Sequence, residues 1–160
     1  MKPTPLSAFI LLPLLSSCSI VTNMTTAKAT FDVSVQNQSS QPIHVGLAKD
    51  GPPLEDDWWS PEEFATFHSK HPDAMWGQTV LPGQTATIPT IEGHFNDGVH
   101  GYLRVYAGDC SMSDMLAISR HSPNRLDLPL AEGSNRFVVL NDHDQLSARR
   151  LPVPTPPPTK

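Results

Sequence analysis

Cysteine is scarce in this chain, whose 160 residues contain two, Cys18 and Cys110. A protein with two cysteines has at most one internal disulfide, so folding has to rest on a hydrophobic core, and a chain of this length is long enough to bury one. For Cys18 the sequence leaves three alternatives: a buried thiol, a disulfide with Cys110, or a site of covalent modification.

Basic residues are also few, because 11 lysines and arginines face 16 aspartates and glutamates, giving a formal net charge of −5. An acidic chain has no electrostatic reason to bind nucleic acid or anionic lipid headgroups. The composition therefore predicts no nucleic-acid partner, and the net charge mainly supports solubility.

A long hydrophobic run is absent at the start of the chain. Residues 6–15 form an apolar stretch of ten that Ser7 and Pro13 interrupt, whereas a transmembrane helix needs about 20 apolar residues. A basic residue, Lys2, precedes the stretch, and small residues follow it. This arrangement predicts a signal peptide over residues 1–17.

Residues 15–18 have the sequence Leu-Ser-Ser-Cys, which resembles the lipobox of bacterial lipoproteins. The resemblance covers the first eighteen residues and implies that Cys18 is acylated after cleavage of the preceding peptide bond. The membrane would then be a partner through the lipid anchor, and Cys110 would have no partner for a disulfide within the chain. Serine rather than aspartate at position 19 favours the outer membrane of the bacterial envelope over the inner one.

Catalytic motifs are missing from the sequence. It contains no nucleophile-elbow spacing, no HExxH pair and no phosphate-binding loop. Residues 55–57, Glu-Asp-Asp, place three acids together, but adjacent acids in a loop are typical of a solvated surface. We therefore predict a non-catalytic protein without a cofactor, acting as a binding or interaction module whose partner is an envelope protein or a glycan.

Apolar and polar residues alternate with a period of two along most of the chain, as Phe31, Val33 and Val35 do with their polar neighbours. Short alternating runs separated by turn residues predict strands of an Ig-like antiparallel β-sandwich. The predicted strands cover residues 30–36, 43–48, 78–81, 85–91, 99–107, 125–130, 136–141 and 146–151.

One short helix is predicted as an insertion between strands. Ser60 suits the N-cap, Pro61 the first helical position and Glu63 the partner in a capping box, and the helix should end near Lys70 because Pro72 follows. The predicted sandwich domain covers residues 30–151. A flexible lipidated tether (residues 18–29) precedes it, and a Pro-rich disordered tail (residues 152–160) follows it.

The three tryptophans, Trp58, Trp59 and Trp76, are candidates for a recognition surface. Adjacent side chains point in different directions, so Trp58 and Trp59 are not expected to be buried together. An exposed indole on a β-sandwich suits sugar stacking or a protein contact, which makes a carbohydrate-binding module an alternative function. In the competing interpretation, one indole caps the sandwich and the other packs against the predicted helix.

Two groups of residues are weak candidates for a metal site. Thiol, thioether and imidazole ligands select Cu(I), and the first group combines all three, so a copper-binding protein is a third alternative. The second group places two imidazoles on one face of the predicted helix, although a structural zinc site needs four ligands. The two groups are Cys110, Met112, Met115 and His121, and His68 with His71.

Overall fold

The computed structural model describes residues 26–68, 74–142 and 145–153, with the side chain of Asp142 left out. In these ranges the chain forms eight strands, two short α-helices and one 3-10 turn. In order they are β1 (Thr26–Asn37), β2 (Ile43–Lys49), the 3-10 turn (Asp56–Trp58), α1 (Pro61–Phe67), β3 (Gln78–Val80), β4 (Thr85–Asn96), β5 (Gly101–Ala107), α2 (Met112–Ala117), β6 (Arg125–Pro129), β7 (Gly133–Asp142) and β8 (Gln145–Arg150).

The strands form two four-stranded sheets, which we call sheet 1 (order β4-β1-β7-β8) and sheet 2 (order β3-β2-β5-β6). The predicted β-sandwich is confirmed. It is not wholly antiparallel as predicted, because β1 and β7 pair in parallel, from Phe31 opposite Gly133 to Asn37 opposite Val139. Parallel neighbouring strands need a long connection between them, and here the chain between β1 and β7 includes the strands of sheet 2. The period of two in a sequence does not indicate strand direction, so it could not predict this pairing.

The main core lies between the two sheets and is built by alternate residues of the facing strands, as the alternation predicted. Each fully buried side chain of this kind contributes about 1.5–3 kcal/mol relative to its exposed state. Its largest contributors include Phe31, Val35, Ile43, Val45, Trp58, Phe95, Leu103, Val105, Phe137 and Val139.

A second, smaller core covers the outer face of sheet 2. Strand β2 is buried along its whole length, including residues such as His44 and Ala48 that alternate with the main-core positions. The residues of this second core are Ala48, Trp76, Tyr106, Cys110 and Met115, with Phe64, Met112 and Ile118 packed against them. The protein therefore has three layers, with the two helices forming the third.

Helix α1 confirms the predicted capping box. The Ser60 hydroxyl accepts a hydrogen bond from the Glu63 N–H at 3.3 Å, and the Glu63 carboxylate accepts one from the Ser60 N–H at 2.8 Å. The helix ends at Phe67, three residues before the predicted end at Lys70, and residues 69–73 lie outside the described ranges.

Helix α2 was not predicted, although the sequence contains its start signal. Ser111 and Asp114 form a second capping box, with the Asp114 carboxylate accepting from the Ser111 N–H at 2.9 Å. A serine followed three residues later by an acid before an apolar run marks a helix start. Of the apolar residues after Asp114, Met115 is buried in the second core and Ile118 packs against it, whereas Leu116 is exposed.

Several boundaries differ from the prediction. Strand β1 begins at Thr26, opposite Asn96, so residues 26–29 belong to the sandwich and not to the predicted tether. Pro82 and Gly83 stand where a type II turn needs proline and glycine, and the predicted turn is confirmed: Gly83 has φ +80° and the Gln84 N–H donates to the Leu81 carbonyl at 3.0 Å. The signal peptide, Cys18 and residues 154–160 lie outside the described ranges. No helix in those ranges is long and apolar enough to cross a membrane.

Candidate functional site

Trp58 lies in the main core, with 1% of its surface exposed. Its ring packs edge-on against Phe31 and Phe95 at centroid distances of 5.2 and 5.3 Å. The indole N–H donates to the Glu92 carbonyl at 2.9 Å. A Cβ at Gly101 would lie 2.8 Å from the indole, so this glycine gives the ring its space. Trp58 therefore caps one end of the sandwich.

Trp76 is also buried, with 4% of its surface exposed, and Trp59 is half-buried. The Trp76 N–H donates to the Trp59 carbonyl at 2.6 Å, and the Trp59 ring stacks on Phe67 at 4.9 Å. Neither Trp58 nor Trp76 presents an indole face to solvent, so their assignment to a candidate recognition surface is corrected, whereas the expectation that Trp58 and Trp59 are not both fully buried agrees with the structure. The packing interpretation, with one indole capping the sandwich and another against the helix, describes the observed arrangement.

The soft-ligand candidates meet in the second core, where Cys110 and Met115 are buried and Met112 packs against them. The Cys110 thiol donates to the Ala107 carbonyl at 3.2 Å. Burial raises the pKa of this thiol, and the carboxylates of Asp114 and Asp109 raise it further. Since copper binds the thiolate, this environment disfavours metal binding.

The histidine candidates have other contacts. His121 is exposed in a turn, and the His68 ring stacks on Phe64 at 4.5 Å. His71 lies outside the described ranges. Within those ranges, no group of three or more His, Cys, Asp and Glu side chains is placed to hold a metal ion.

Replacing Cys110 with serine tests the structural role of the thiol. We expect Cys110→Ser to lower the free energy of unfolding by about 1–2 kcal/mol, because a hydroxyl can keep the hydrogen bond to Ala107 but is more polar in a buried site. Urea unfolding of the wild type and the variant measures this difference. Loss of the cooperative transition would show instead that Cys110 is essential for folding.

A partly buried ion pair joins Lys49, at the end of β2, to Glu55 in the following loop. The Lys49 side chain is 2% exposed, and its ammonium also donates to the His94 carbonyl at 2.9 Å. Partial burial raises the pKa of Glu55, but hydrogen bonds from Lys49 and His94 outweigh it and lower that pKa to about 2. The sequence predicted a solvated surface for residues 55–57. Asp56 and Asp57 are exposed, as predicted, whereas Glu55 is partly buried and paired.

These contacts protect part of the outer edge of β4, which is an edge strand of sheet 1. Glu55 accepts from the His94 N–H at 3.0 Å, Lys49 donates to the His94 carbonyl, and Trp58 donates to the Glu92 carbonyl. Unpaired backbone groups on an edge strand are a template for another strand. Side chains of the loop and the 3-10 turn thus occupy the edge from Glu92 to His94.

A second charged cluster lies on the outer face of sheet 2. Asp127 accepts from Arg104 at 2.8 Å and from Arg125 at 2.9 Å. Burial raises the pKa of Asp127, but Arg125 and Arg104 outweigh it and leave the pKa below its usual range. Arg104 also lies 3.4 Å from Glu62 of α1, which links the helix to the sheet. Both arginines are paired, so the cluster stabilises the third layer.

A groove of about 340 Å³ lies beside these elements and is lined by residues of β2, β4, α1 and the 3-10 turn. Its lining is mostly apolar, and two exposed acids stand on its rim. We call it the edge groove; its lining residues are Val45, Gly46, Leu47, Asp56, Asp57, Phe64, Trp76, Gly77, Gln78, Ile88 and Ile91.

A β-bulge in β4 shapes one wall of the edge groove. Phe31 pairs with Ile91 and Val33 with Ile88, so Asp32 of β1 faces two residues of β4. A bulge re-aims side chains by adding a residue to one strand. Here it lets Ile88 and Ile91, three positions apart, both turn towards the core side, where both are half-buried.

The second wall of the edge groove is the part of the β2 edge that the short strand β3 does not cover. Strand β3 pairs with β2 from Ile43 to Val45, and from Gly46 onward that edge of β2 has no partner strand in the described ranges. Gly77, with φ +70°, turns the chain away, and a Cβ there would lie 2.2 Å from the Val45 carbonyl oxygen. The backbone N–H and C=O groups of every second residue in a strand point to the same side. Those of Val45 point towards β3, so those of Leu47 point to the same side beyond the end of β3, which is the edge groove.

Comparisons with known proteins give structural neighbours. No protein-family model and no curated protein matches the sequence. Among solved structures, the chain is similar to Lip of Serratia marcescens, a membrane-bound component of the type VI secretion system, with 15% identity over 78% of this chain and 98% of that chain and a TM-score of 0.38. It is also similar to the type VI secretion lipoprotein TssJ1 of Pseudomonas aeruginosa, with 12% identity over 80% and 100% and a TM-score of 0.37. TM-scores below 0.5 do not establish a shared family or function.

Proposed function

We propose that this protein is a lipid-anchored, non-catalytic interaction module of the bacterial cell envelope. The observation that carries the proposal is the sequence Leu-Ser-Ser-Cys at residues 15–18, after an apolar stretch of signal-peptide length and shortly before a folded β-sandwich that begins at Thr26. Only seven residues, 19–25, separate Cys18 from β1. An acylated Cys18 would hold the sandwich close to the membrane surface.

The physical basis of anchoring is the burial of acyl chains. Each buried methylene contributes about 0.8 kcal/mol, and a single myristoyl chain gives only marginal membrane binding. Lipobox processing implies several chains on the mature amino-terminal cysteine, which makes the attachment effectively permanent. Serine at position 19 supports the outer membrane over the inner one as the site of attachment.

Replacing Cys18 with alanine tests the anchor. We expect Cys18→Ala to abolish incorporation of radiolabelled palmitate and to release the protein from the membrane fraction or leave it unprocessed, because the acceptor thiol is gone. Cys110→Ser is the matched control, since it removes the other thiol and should leave labelling unchanged. A processed Cys18→Ala protein that still needs detergent for extraction would contradict the proposal.

A further inference from the structure

We infer that the edge groove binds an extended peptide segment of a partner protein in which an apolar side chain lies next to a lysine or arginine. The inference deepens the proposed function, since it assigns a partner class to the interaction module. Three properties of the groove carry it: an apolar floor, an unpaired strand edge and an acidic rim.

The apolar floor is formed by side chains of both sheets and of the helical layer. Leu47 comes from sheet 2, Ile88 and Ile91 from sheet 1, and Phe64 from α1. The volume of about 340 Å³ lies within the range of about 300–1,000 Å³ in which proteins bind small ligands and side chains. One or two apolar side chains of a partner can therefore be buried there.

The strand edge supplies the backbone hydrogen bonds that an extended peptide needs. No described residue forms a hydrogen bond with the Leu47 N–H or C=O across the free edge of β2. An added strand gains affinity from main-chain hydrogen bonds and specificity from alternate side chains that enter pockets. By contrast, the edge of β4 at Glu92 and His94 is already occupied by side chains, so of these two edges the β2 edge is the one without a partner among the described residues.

The acidic rim selects the charge of the peptide. Asp56 and Asp57 are exposed, and neither forms an ion pair with another described residue, whereas the neighbouring Glu55 is held by Lys49. Two unpaired carboxylates beside an apolar groove attract a cationic side chain and repel an anionic one. The charge on the rim thus favours a basic residue next to the buried apolar one.

Other occupants fit less well. A sugar ring would stack on an exposed indole, but Trp76, the tryptophan that lines the groove, is 4% exposed. Residues 154–160 include four prolines, which have no N–H to donate to a strand edge. A second copy of this chain would bring a net charge of −5 against the acidic rim. A basic, extended segment of another protein matches all three properties.

The test uses the full-length chain purified in detergent and fluorescein-labelled peptides of about ten residues, the upper length of ordinary strands. The peptides alternate valine and threonine and carry lysine at both ends or glutamate at both ends. We expect the lysine peptide to bind at least tenfold more tightly than the glutamate peptide in fluorescence anisotropy, with a preference that weakens as salt is added. Methylating the central backbone nitrogens should abolish binding.

A charge reversal at the rim separates this site from general attraction to an acidic protein. The double variant Asp56→Lys/Asp57→Lys should invert the preference, so that the glutamate peptide binds more tightly than the lysine peptide. The matched control is Asp97→Lys/Glu132→Lys, which makes the same change of net charge at two exposed positions that do not line the groove. The control should retain the wild-type preference.

Three outcomes of the peptide measurements would overturn the inference. They are the absence of saturable binding of the lysine peptide up to about 1 mM, an equal loss of preference in the rim and control variants, and binding that survives backbone methylation. Concentration-dependent self-association that the rim variant abolishes would assign the groove to a second copy and also overturn it. The peptide measurements do not depend on acylation of Cys18. A negative peptide result would therefore not contradict the proposed lipid anchor, and a negative labelling result for Cys18 would not contradict peptide binding in the edge groove.

Discussion

Trp58→Ala is expected to lower the free energy of unfolding by about 3–5 kcal/mol, the range for truncating a large aromatic residue in a core. The indole is enclosed by Phe31 and Phe95, and its N–H is paired with the Glu92 carbonyl. Alanine would leave a cavity at the end of the sandwich and an unpaired carbonyl on the edge of β4. Urea unfolding followed by far-UV circular dichroism measures the difference.

Trp59→Ala is the matched control, because the two tryptophans are adjacent in sequence and differ in burial. Trp59 stacks on Phe67, which is 52% exposed, and its N–H has no hydrogen-bond partner among the described residues. We expect a loss of about 1 kcal/mol, typical of a partly exposed site. Equal losses for the two variants would contradict the assignment of Trp58 to the core and Trp59 to the helical layer.

Glu55→Gln is expected to lower the free energy of unfolding by about 3 kcal/mol at neutral pH. Removing one partner of a buried ion pair leaves the other charge uncompensated, and the Lys49 side chain is 2% exposed while that of Glu55 is 26% exposed. The value lies at the lower end of the range for buried pairs because Glu55 keeps some contact with solvent. The same substitution should also loosen the loop from the edge of β4, where Glu55 holds the His94 N–H.

The pH dependence of stability gives the second measurement on this pair. The pKa of Glu55 is about 2 in the folded protein and has its ordinary value of 4.5 in the unfolded chain. Because the folded pKa is the lower one, the stabilisation is complete above pH 4.5 and is lost as the pH falls from about 4.5 towards 2. The difference in unfolding free energy between the wild type and Glu55→Gln should therefore be smaller at pH 3 than at pH 7.

Glu92→Gln is the control for a surface pair. Glu92 lies 2.8 Å from Lys28, but both side chains are more than half exposed. An exposed pair of this kind contributes less than about 1 kcal/mol, so the variant should unfold almost like the wild type. If Glu55→Gln were as mild as Glu92→Gln, the Lys49–Glu55 pair would not be the stabilising contact that its burial indicates.

Local sequence signals determined several features that the structure confirms. The alternation around Val33 and Val35 predicted a buried strand face, Pro82 and Gly83 predicted a type II turn, and Ser60 with Glu63 predicted a helix start. Each signal depends on residues a few positions apart, so it can be recognised from the local sequence. The helix start at Ser111 is an equally local signal, although the predicted elements do not include it.

Tertiary structure decided the features that depend on residues far apart in the chain. The parallel pairing of β1 with β7 joins positions about a hundred residues apart, and the burial of β2 on both faces depends on Trp76 and the helical layer, which lie later in the chain. The different environments of Glu55 and Asp56 also could not be predicted from the local sequence. The two acids are adjacent in the sequence, yet Glu55 pairs with the buried Lys49 and Asp56 remains exposed on the rim of the edge groove.

The sequence by itself determined that this is a mainly β chain with a period-two core, and it alone contains the Leu-Ser-Ser-Cys motif, whose resemblance to a lipobox predicts attachment at Cys18. Only the tertiary structure decided which tryptophans are buried and where a strand edge stays open. Burial and edge pairing are properties of the packed sheets, because a side chain is removed from water by residues of the facing sheet or of the helical layer. That neighbour is set by long-range topology, which the spacing of residues along the chain does not encode.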